Sequence, residues 1–420
     1  MNQPLPPSVA IIGGGPAGMM AAISAANAGA RATLYERQPR LGRKLAATGG
    51  GRCNITNSLD PETLRQRFGP RGRFISPALR LFGRDDLLAH MKLWGVPCAS
   101  EDGFHYFPVS QRATDVVHAL ETQMKRRGVR THMPAGVSAL EIADGRVRGI
   151  RVDGRLLPAD AVILAAGGAA WPALGGCRLG YELAAQAGHA TAEPAAALVG
   201  LKTGESWPRS CAGVTLPAAE AFIDLPGERK PITRGILLFT HDGVSGPLVL
   251  DISGHVTPLL RNRPDVPLRV NLSPAIPREE WRRRIEEWRT LRGKKSVRNL
   301  LDECLPHSLA GALAALCEMG PDQRAAQMTA AARDRLLENL TAAPLTVTGS
   351  EGLERAMVTR GGVDLKPVNP TTLESRLVSG LYFAGEVLDL DGPCGGYNLQ
   401  WAFSSGWLAG LSAARRETRT

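Results

Sequence analysis

The chain has 420 residues, 44% hydrophobic and 21% charged, with a formal net charge of +10. That length exceeds the ~250–300 residues at which one core stops growing, so two or three domains are expected, and the composition is that of an ordinary soluble globular protein. No apolar run approaches the ~18 residues of a transmembrane helix. Residues 1–8 lack the basic and apolar regions of a signal peptide. The seven cysteines (Cys53, Cys98, Cys177, Cys211, Cys304, Cys317, Cys394) include no C-x-x-C pair, which argues against zinc, iron–sulfur and dithiol sites. An odd number without a secretion signal fits a reducing cytoplasm. The positive charge suits an anionic partner, nucleic acid or an anionic substrate, or reflects arginine-rich composition alone.

Val9–Ile12 reads as a short buried strand, followed by Gly13-Gly-Gly15-Pro16-Ala17-Gly18, a G-x-G-x-x-G turn. A helix of small residues runs from Pro16 to about Ala28, where Gly29 stops it. A second strand, Ala32–Glu36, ends in an acid 18 residues after Gly18, close to the ~20 expected for the ribose-binding carboxylate of a Rossmann unit. Strand, glycines, helix, strand and acid in this order predict a site for an adenine dinucleotide. An acid at 36 prefers a free 2′-hydroxyl, as in FAD or NAD; Arg37 beside it keeps NADP open. In Arg43–Asn54, three consecutive glycines, Gly49, Gly50 and Gly51, are costly in a packed element and make sense where backbone lies against a cofactor. Arg43, Lys44 and Arg52 are candidates to neutralise pyrophosphate. Cys53 is read either as a structural thiol or as one that approaches a flavin ring.

Helical periodicity covers residues 85–95 and 113–128, with an aromatic strand or turn, Gly103–Pro108, between them. A three-stranded meander follows from Gly136 through Val152. It leads to strand Ala161–Ala165, which ends at Ala166, Gly167 and Gly168, as where a strand terminus touches the dinucleotide. Leu248–Ile252 is strand-like. From Pro277 to about Leu340 the pattern is helical, with Trp281, Ile285 and Trp288 on one face at i, i+4 and i+7. Residues 278–298 hold nine Arg or Lys against four Glu, 9 − 4 = +5, either a solvated charged face or a polyanion contact. His241, within Phe239–Pro247, is framed by glycines and polar residues on a loop expected to lead back to the cofactor domain. It is a candidate acid, base or substrate ligand, or a structural histidine.

The chain re-enters the dinucleotide fold at Leu345–Thr348 and Arg360–Val363. Leu381–Ala384 reads as a buried strand, then Gly385 and Glu386 open an acid-bearing turn, and a helix starts near Asn398. Gly396, Tyr397, Asn398 and Leu399 place free N–H groups and a positive dipole end where a flavin N1–C2=O would gain negative charge on reduction. Glu386 suits a ribityl chain.

These stretches resemble the BaiN/RdsA-type NAD(P)/FAD-dependent oxidoreductase family of two-dinucleotide-fold flavoproteins. The resemblance is carried by Gly13–Gly18, Thr48–Asn57, Leu237–Pro247, Asn369–Ser375 and Gly395–Trp401. It implies an α/β fold in which a discontinuous Rossmann-like FAD-binding domain, residues 1–190 and 345–420, carries an inserted β-barrel (191–275) and an inserted helical domain (276–344) that cover the substrate site. Two departures are visible. Gly175–Gly180 replaces a Ser/Thr-Gly-rich turn, and His105-Tyr106 stands where an Arg–aliphatic pair is expected. The resemblance implies a flavin-dependent reductase acting on a uridine in ribosomal RNA, giving dihydrouridine, or on a small unsaturated molecule of the bile-acid kind. His241 or Cys53 would protonate the carbon next to the one that takes the hydride. Without a second G-x-G-x-x-G, NAD(P)H is expected only as a transient reductant. A non-catalytic RNA-binding protein with structural FAD, or a folate-dependent RNA methyltransferase, would carry the same fingerprint.

Overall fold

The computed structural model describes residues 5–227 and 232–415. The chain forms two compact units, one made of the segments up to Ala195 and from Met357 onward, the other of Ala196–Ala356.

In the first unit a parallel sheet runs in the order Leu381–Phe383, Ala161–Leu164, Ser8–Ile12, Arg31–Tyr35, Arg130–His132. Its central runs Val9–Ile12 and Ala161–Leu164 are unbroken and apolar because both faces are covered, and Ala161–Leu164 is buried at every position. The first connection leads from Ser8–Ile12 to one side, to Arg31–Tyr35, and a later strand, Ala161–Leu164, pairs on the other side. The order therefore reverses between Ser8–Ile12 and Ala161–Leu164. In open α/β sheets that reversal opens a crevice at the carboxyl ends of the strands, and here those ends are Gly13 and Ala165–Gly167. The edge strand Arg130–His132 is exposed and carries no apolar run to announce it; it is held by the backbone ladder and by stacking of His132 on Tyr35, centroids 5.2 Å apart.

Helix Pro16–Asn27 packs against the last helix, Tyr397–Ala414, through small residues. A Cβ at Gly406 would lie 2.3 Å from the carbonyl oxygen of Ala17, and one at Gly410 2.2 Å from that of Ala21. Ser24 Oγ donates to the Trp407 carbonyl at 2.7 Å. The two ends of the chain are thus locked together beneath the crevice. The meander is Val137–Ala143, Arg146–Val152 and Arg155–Pro158.

The second unit is a closed antiparallel barrel, in the order Leu201–Thr203, Gly243–Ser245, Thr233–Phe239, Thr215–Ile223, Val266–Asn271, Ala343–Ser350, with helices packed on it around one core that includes Phe239, Ile252, Trp281 and Leu336. Trp281, Ile285 and Trp288 are buried in it. Three sequence readings are corrected. Leu248–Ile252 is not a strand but the start of helix Pro247–Leu259: Pro247 sits at the first helical position, where its missing N–H costs nothing, and a short apolar run alone does not separate strand from helix. Residues 345–348 belong to Ala343–Ser350, the strand that closes the barrel, and the first unit resumes only at Met357. His241 does not lie on a connection to the first unit. It occupies the exposed turn between barrel strands Thr233–Phe239 and Gly243–Ser245, where the Thr240 N–H donates to the Gly243 carbonyl at 2.9 Å.

Candidate flavin site

The glycines of the first turn fall into two kinds. Gly13 has φ +109°, and a Cβ there would stand 2.4 Å from the carbonyl oxygen of Ala165. A Cβ at Gly18 would stand 1.9 Å from the carbonyl oxygen of Gly13. These two are glycine because protein backbone lies against them. Gly15 meets no protein atom within 4 Å and has the ordinary extended φ of −78°. Nothing inside the protein requires glycine there, which is the pattern of a position kept bare for a ligand. Gly15 caps helix Pro16–Asn27 with no side-chain cap, so the helix start keeps N–H groups and a positive dipole end for an anion. Ala17, in its first turn, packs against Gly385, where a Cβ would lie 2.7 Å from that of Ala17.

Glu36 closes the turn from the neighbouring strand. Its Oε2 accepts the Gly14 N–H and its Oε1 the Gln38 N–H, both at 2.6 Å. Each carboxylate oxygen keeps a second lone pair, so Glu36 can still accept ribose hydroxyls. Arg37 donates to the carbonyls of Gly175 and Gly176 at 3.2 and 3.4 Å. It braces the turn where the sequence departs from the family pattern.

The second glycine run breaks helix Arg43–Gly51. Thr48 is extended and Gly49, Gly50 and Gly51 have φ of 58°, 67° and 87°. Three left-handed residues in succession are open only to glycine at low cost, and Gly50 and Gly51 meet no protein atom within 4 Å of a Cβ position. The expected basic residues have partners inside the protein. Arg43 donates to Gln38 Oε1 at 2.5 Å. Arg52 lies over the Phe107 ring, 4.8 Å from its centroid. Lys44 Nζ reaches Glu386 Oε2 at 2.8 Å. Cys53, with φ 65°, is buried, and its thiol is pushed up to about 12, chiefly by that burial. It stays a thiol at physiological pH, which removes it as a thiolate nucleophile and makes it a weak acid.

The C-terminal stretch meets both runs. Gly167 has φ +74° and an open Cβ side, beside Ala166. At Gly168 a Cβ would stand 2.4 Å from Thr359 Oγ1 and 2.7 Å from Glu386 Oε1. Glu386 Oε1 also accepts the Thr359 N–H at 2.8 Å. The other acids of the turn are bridged away: Asp389 to Arg71, and Asp391 to Arg360 at 2.9 Å. Helix Tyr397–Ala414 starts on Gly396, φ +83°, with no side-chain cap. A Cβ at Gly396 would lie 2.6 Å from the Thr56 carbonyl oxygen. Thr56 Oγ1 donates to Gln400 Oε1 at 2.6 Å, and Asn57 Nδ2 to the Gly395 carbonyl at 2.8 Å, both buried. The Asn398 side chain is spent on Gly392, accepting its N–H and donating to its carbonyl at 2.8 Å each; its contribution to a ligand is therefore its backbone. Tyr397 is buried edge-on to Phe68, and Leu399 half-buried in the same first turn.

The structure thus brings together Gly13–Gly18, Glu36, Lys44, Gly49–Cys53, Ala166–Gly167, Gly385–Glu386 and Gly396–Leu399. His241 belongs to the barrel unit. Sequence reasoning missed Thr359, which anchors Glu386. It also missed the ties of Thr56 and Asn57 to the last helix, although both lie inside the Thr48–Asn57 motif. Bare glycines at a sheet switch point, two carboxylates with free lone pairs and two uncapped helix starts fit FAD. Among the described residues no group of three His, Cys, Asp or Glu is placed to hold a metal, and no helix is long and apolar enough to cross a membrane.

Residues 7–412 match the family described as HI0933-like protein Rossmann domain. The chain belongs to this family. It is an FAD-dependent oxidoreductase by family. Similar relatives are the 3-dehydro-bile acid delta(4,6)-reductase of Clostridium scindens, 35% identical over 97% of this chain and 99% of the relative, and the ribosomal RNA dihydrouridine synthase of Escherichia coli, 32% identical over 94% and 95%. Among solved structures, a 3-ketosteroid-delta4-(5alpha)-dehydrogenase from Rhodococcus jostii RHA1 matches 99% of both chains with a TM-score of 0.53 at 17% identity, a likeness of fold.

Proposed function

We propose that the protein reduces a carbon–carbon double bond conjugated to a carbonyl, in the first instance the C5=C6 bond of a uridine in ribosomal RNA, in the cytoplasm. The observation that carries a ring-binding reductase is the tie of Thr56 and Asn57, which follow the Gly49–Gly51 run, to the Gly395–Gly396 turn and the helix it starts. It ties the segment that follows the bare Gly50–Gly51 backbone to an uncapped helix start. FAD, when bound, supplies the hydride, and NAD(P)H acts as a transient reductant, since one G-x-G-x-x-G is present. The start of helix Pro16–Asn27 would hold the pyrophosphate, Glu36 the ribose and Glu386 the ribityl chain. The uncapped N–H groups of Tyr397–Leu399 would stabilise the ring edge that gains negative charge. The buried Cys53 thiol holds its proton too tightly to serve as the acid.

The RNA reading rests on the +10 charge and on the name of the E. coli relative. A second reading, a small unsaturated ketone, is favoured by the helix Arg278–Leu291. Its basic residues are matched by acids, most of them one turn away: Arg282 with Glu279, Arg283 and Arg284 with Glu280, Arg289 with Glu286, Arg278 with Glu338, while Arg292 and Lys295 share Glu303. A helix laced this way is an ordinary solvated face. The test is anaerobic. FAD-loaded protein reduced with NADPH is mixed with a ribosomal RNA transcript or with a 3-oxo-Δ4 steroid, and flavin reoxidation and a gain of two hydrogens are followed. Turnover of the transcript, with affinity falling steeply with salt, supports the first reading. Turnover of the steroid alone replaces it with the second.

A further inference from the structure

One dyad of the first unit has no part in the foregoing. Strand His105–Pro108 pairs antiparallel with Thr56–Asn57, Asn57 opposite His105. Side chains two apart on a strand share a face, and here they reach the two glycine turns separately. Phe107 Cε1 lies 3.3 Å from the Cβ position of Gly49, and His105 Nε2 lies 3.3 Å from that of Gly395. The imidazole is aimed by its own turn. Asp102 Oδ2 is 2.6 Å from His105 Nδ1, while Asp102 Oδ1 accepts the N–H groups of Phe104 and His105, each at 2.8 Å. Phe104 meets the imidazole edge-on, centroids 4.8 Å apart. These donors, the His105 side chain first, hold the Asp102 carboxyl well below the ordinary carboxylate range. The Asp102 carboxylate accepts from Nδ1–H and turns Nε2 toward the Gly395 turn; in the doubly protonated ring Nε2–H is a charged donor. His105 is 37% exposed, so solvent can replace its proton.

We propose that His105, oriented by Asp102, is a charged hydrogen-bond donor to the flavin edge at the Gly395–Gly396 turn and stabilises the negative charge that reduction places there. It adds to the helix start a side chain that this sequence has in place of the expected Arg–aliphatic pair. The inference rests on the flavin placement proposed above. A preorganised donor aimed at developing charge acts on the charged state more than on the neutral one.

The experiment is a spectroscopic redox titration of FAD-loaded protein, wild type against His105→Leu, His105→Arg and Asp102→Asn, with no substrate present. His105→Leu is expected to retain FAD and to disfavour the reduced form about tenfold, a midpoint potential lower by about 30 mV for a two-electron couple. Asp102→Asn keeps the turn-forming oxygen and loses the charge; a shift in the same direction, smaller, is expected. His105→Arg restores a charged donor and is expected to return the potential toward wild type, which a merely structural role would not do. Equal potentials in all four proteins, with FAD bound in each, would overturn the proposal. A wild type that binds no FAD would instead overturn the flavin site itself.

Discussion

The crevice of the first unit and the helix Arg278–Leu291 both look polar in the sequence, yet their polar groups find partners over different distances. In the crevice the ties span the chain: Gly14 to Glu36, Lys44 to Glu386, Thr56 to Gln400, Asn57 to Gly395. On the helix most run three or four residues, Glu280 to Arg283 and Arg284, Glu286 to Arg289, while Arg278 to Glu338 and Glu286 to Arg333 reach across the chain. Long-range ties spend folding energy on fixing one arrangement of backbone and carboxylate, as a site requires. Local ties form wherever a helix forms, and an exposed pair contributes about 0–1 kcal/mol. A charge count does not separate the two cases; the separation of the partners does.

The comparison is sharpened first within the crevice. Gly18→Ala forces a Cβ against the Gly13 carbonyl and is expected to cost about 1–3 kcal/mol or prevent folding, read as a lower Tm in the absence of FAD. Gly15→Ala meets no protein atom, so its apo Tm should stay within a degree or so while FAD affinity falls at least tenfold. Equal effects of the two substitutions would break the division of the glycines into those facing protein and those facing ligand. Glu36→Ala comes next. It removes the acceptor of two backbone N–H groups and the ribose partner, and FAD should be lost on gel filtration; a mutant that purifies with full flavin contradicts the ribose assignment.

Cys53 gives a pH test. Its folded value, about 12, lies above the ordinary ~8.5 of an unfolded thiol. Protonation therefore contributes stability that is fully present below ~8.5 and lost as pH rises toward 12. Cys53→Ala should flatten the alkaline fall in Tm, and native Cys53 should resist alkylation at pH 8. Rapid labelling there would refute its burial. The smallest effect belongs to the basic helix. Arg282→Ala with Arg283→Ala should leave the denaturant midpoint nearly unchanged, because exposed pairs are screened by solvent. Glu280 and Glu303 are both lowered to about 2, chiefly by hydrogen bonds from Arg283 and Arg292. What they add is present above the ordinary ~4.3 and fades as pH falls toward 2.

Much of the crevice was legible because the chemistry is local. The strand–glycine–helix–strand order of residues 9–36 needs no distant partner to be read, and the three glycines at 49–51 are hard to explain without a close approach of backbone. The ties between distant segments were not legible. Thr359 anchors Glu386 from 27 residues away, and no spacing rule joins them. Leu248–Ile252 was misread because four apolar residues around Asp251 fit a strand or a helix, and only Pro247 at its start tipped the balance. His241 attracted notice by its polar surroundings, which proved to be a tight hairpin. Asp102 and His105 drew none as a pair because a carboxylate three residues before a histidine becomes a dyad only when the turn between them closes.

The most direct measurement is the absorbance spectrum of the purified protein, followed by anaerobic addition of NADPH or NADH. Bands near ~375 and ~450 nm that bleach with a nicotinamide are the predicted result, the signature of a bound, reducible flavin. A protein that shows no flavin bands, even after incubation with FAD and desalting, would contradict the assignment of the crevice.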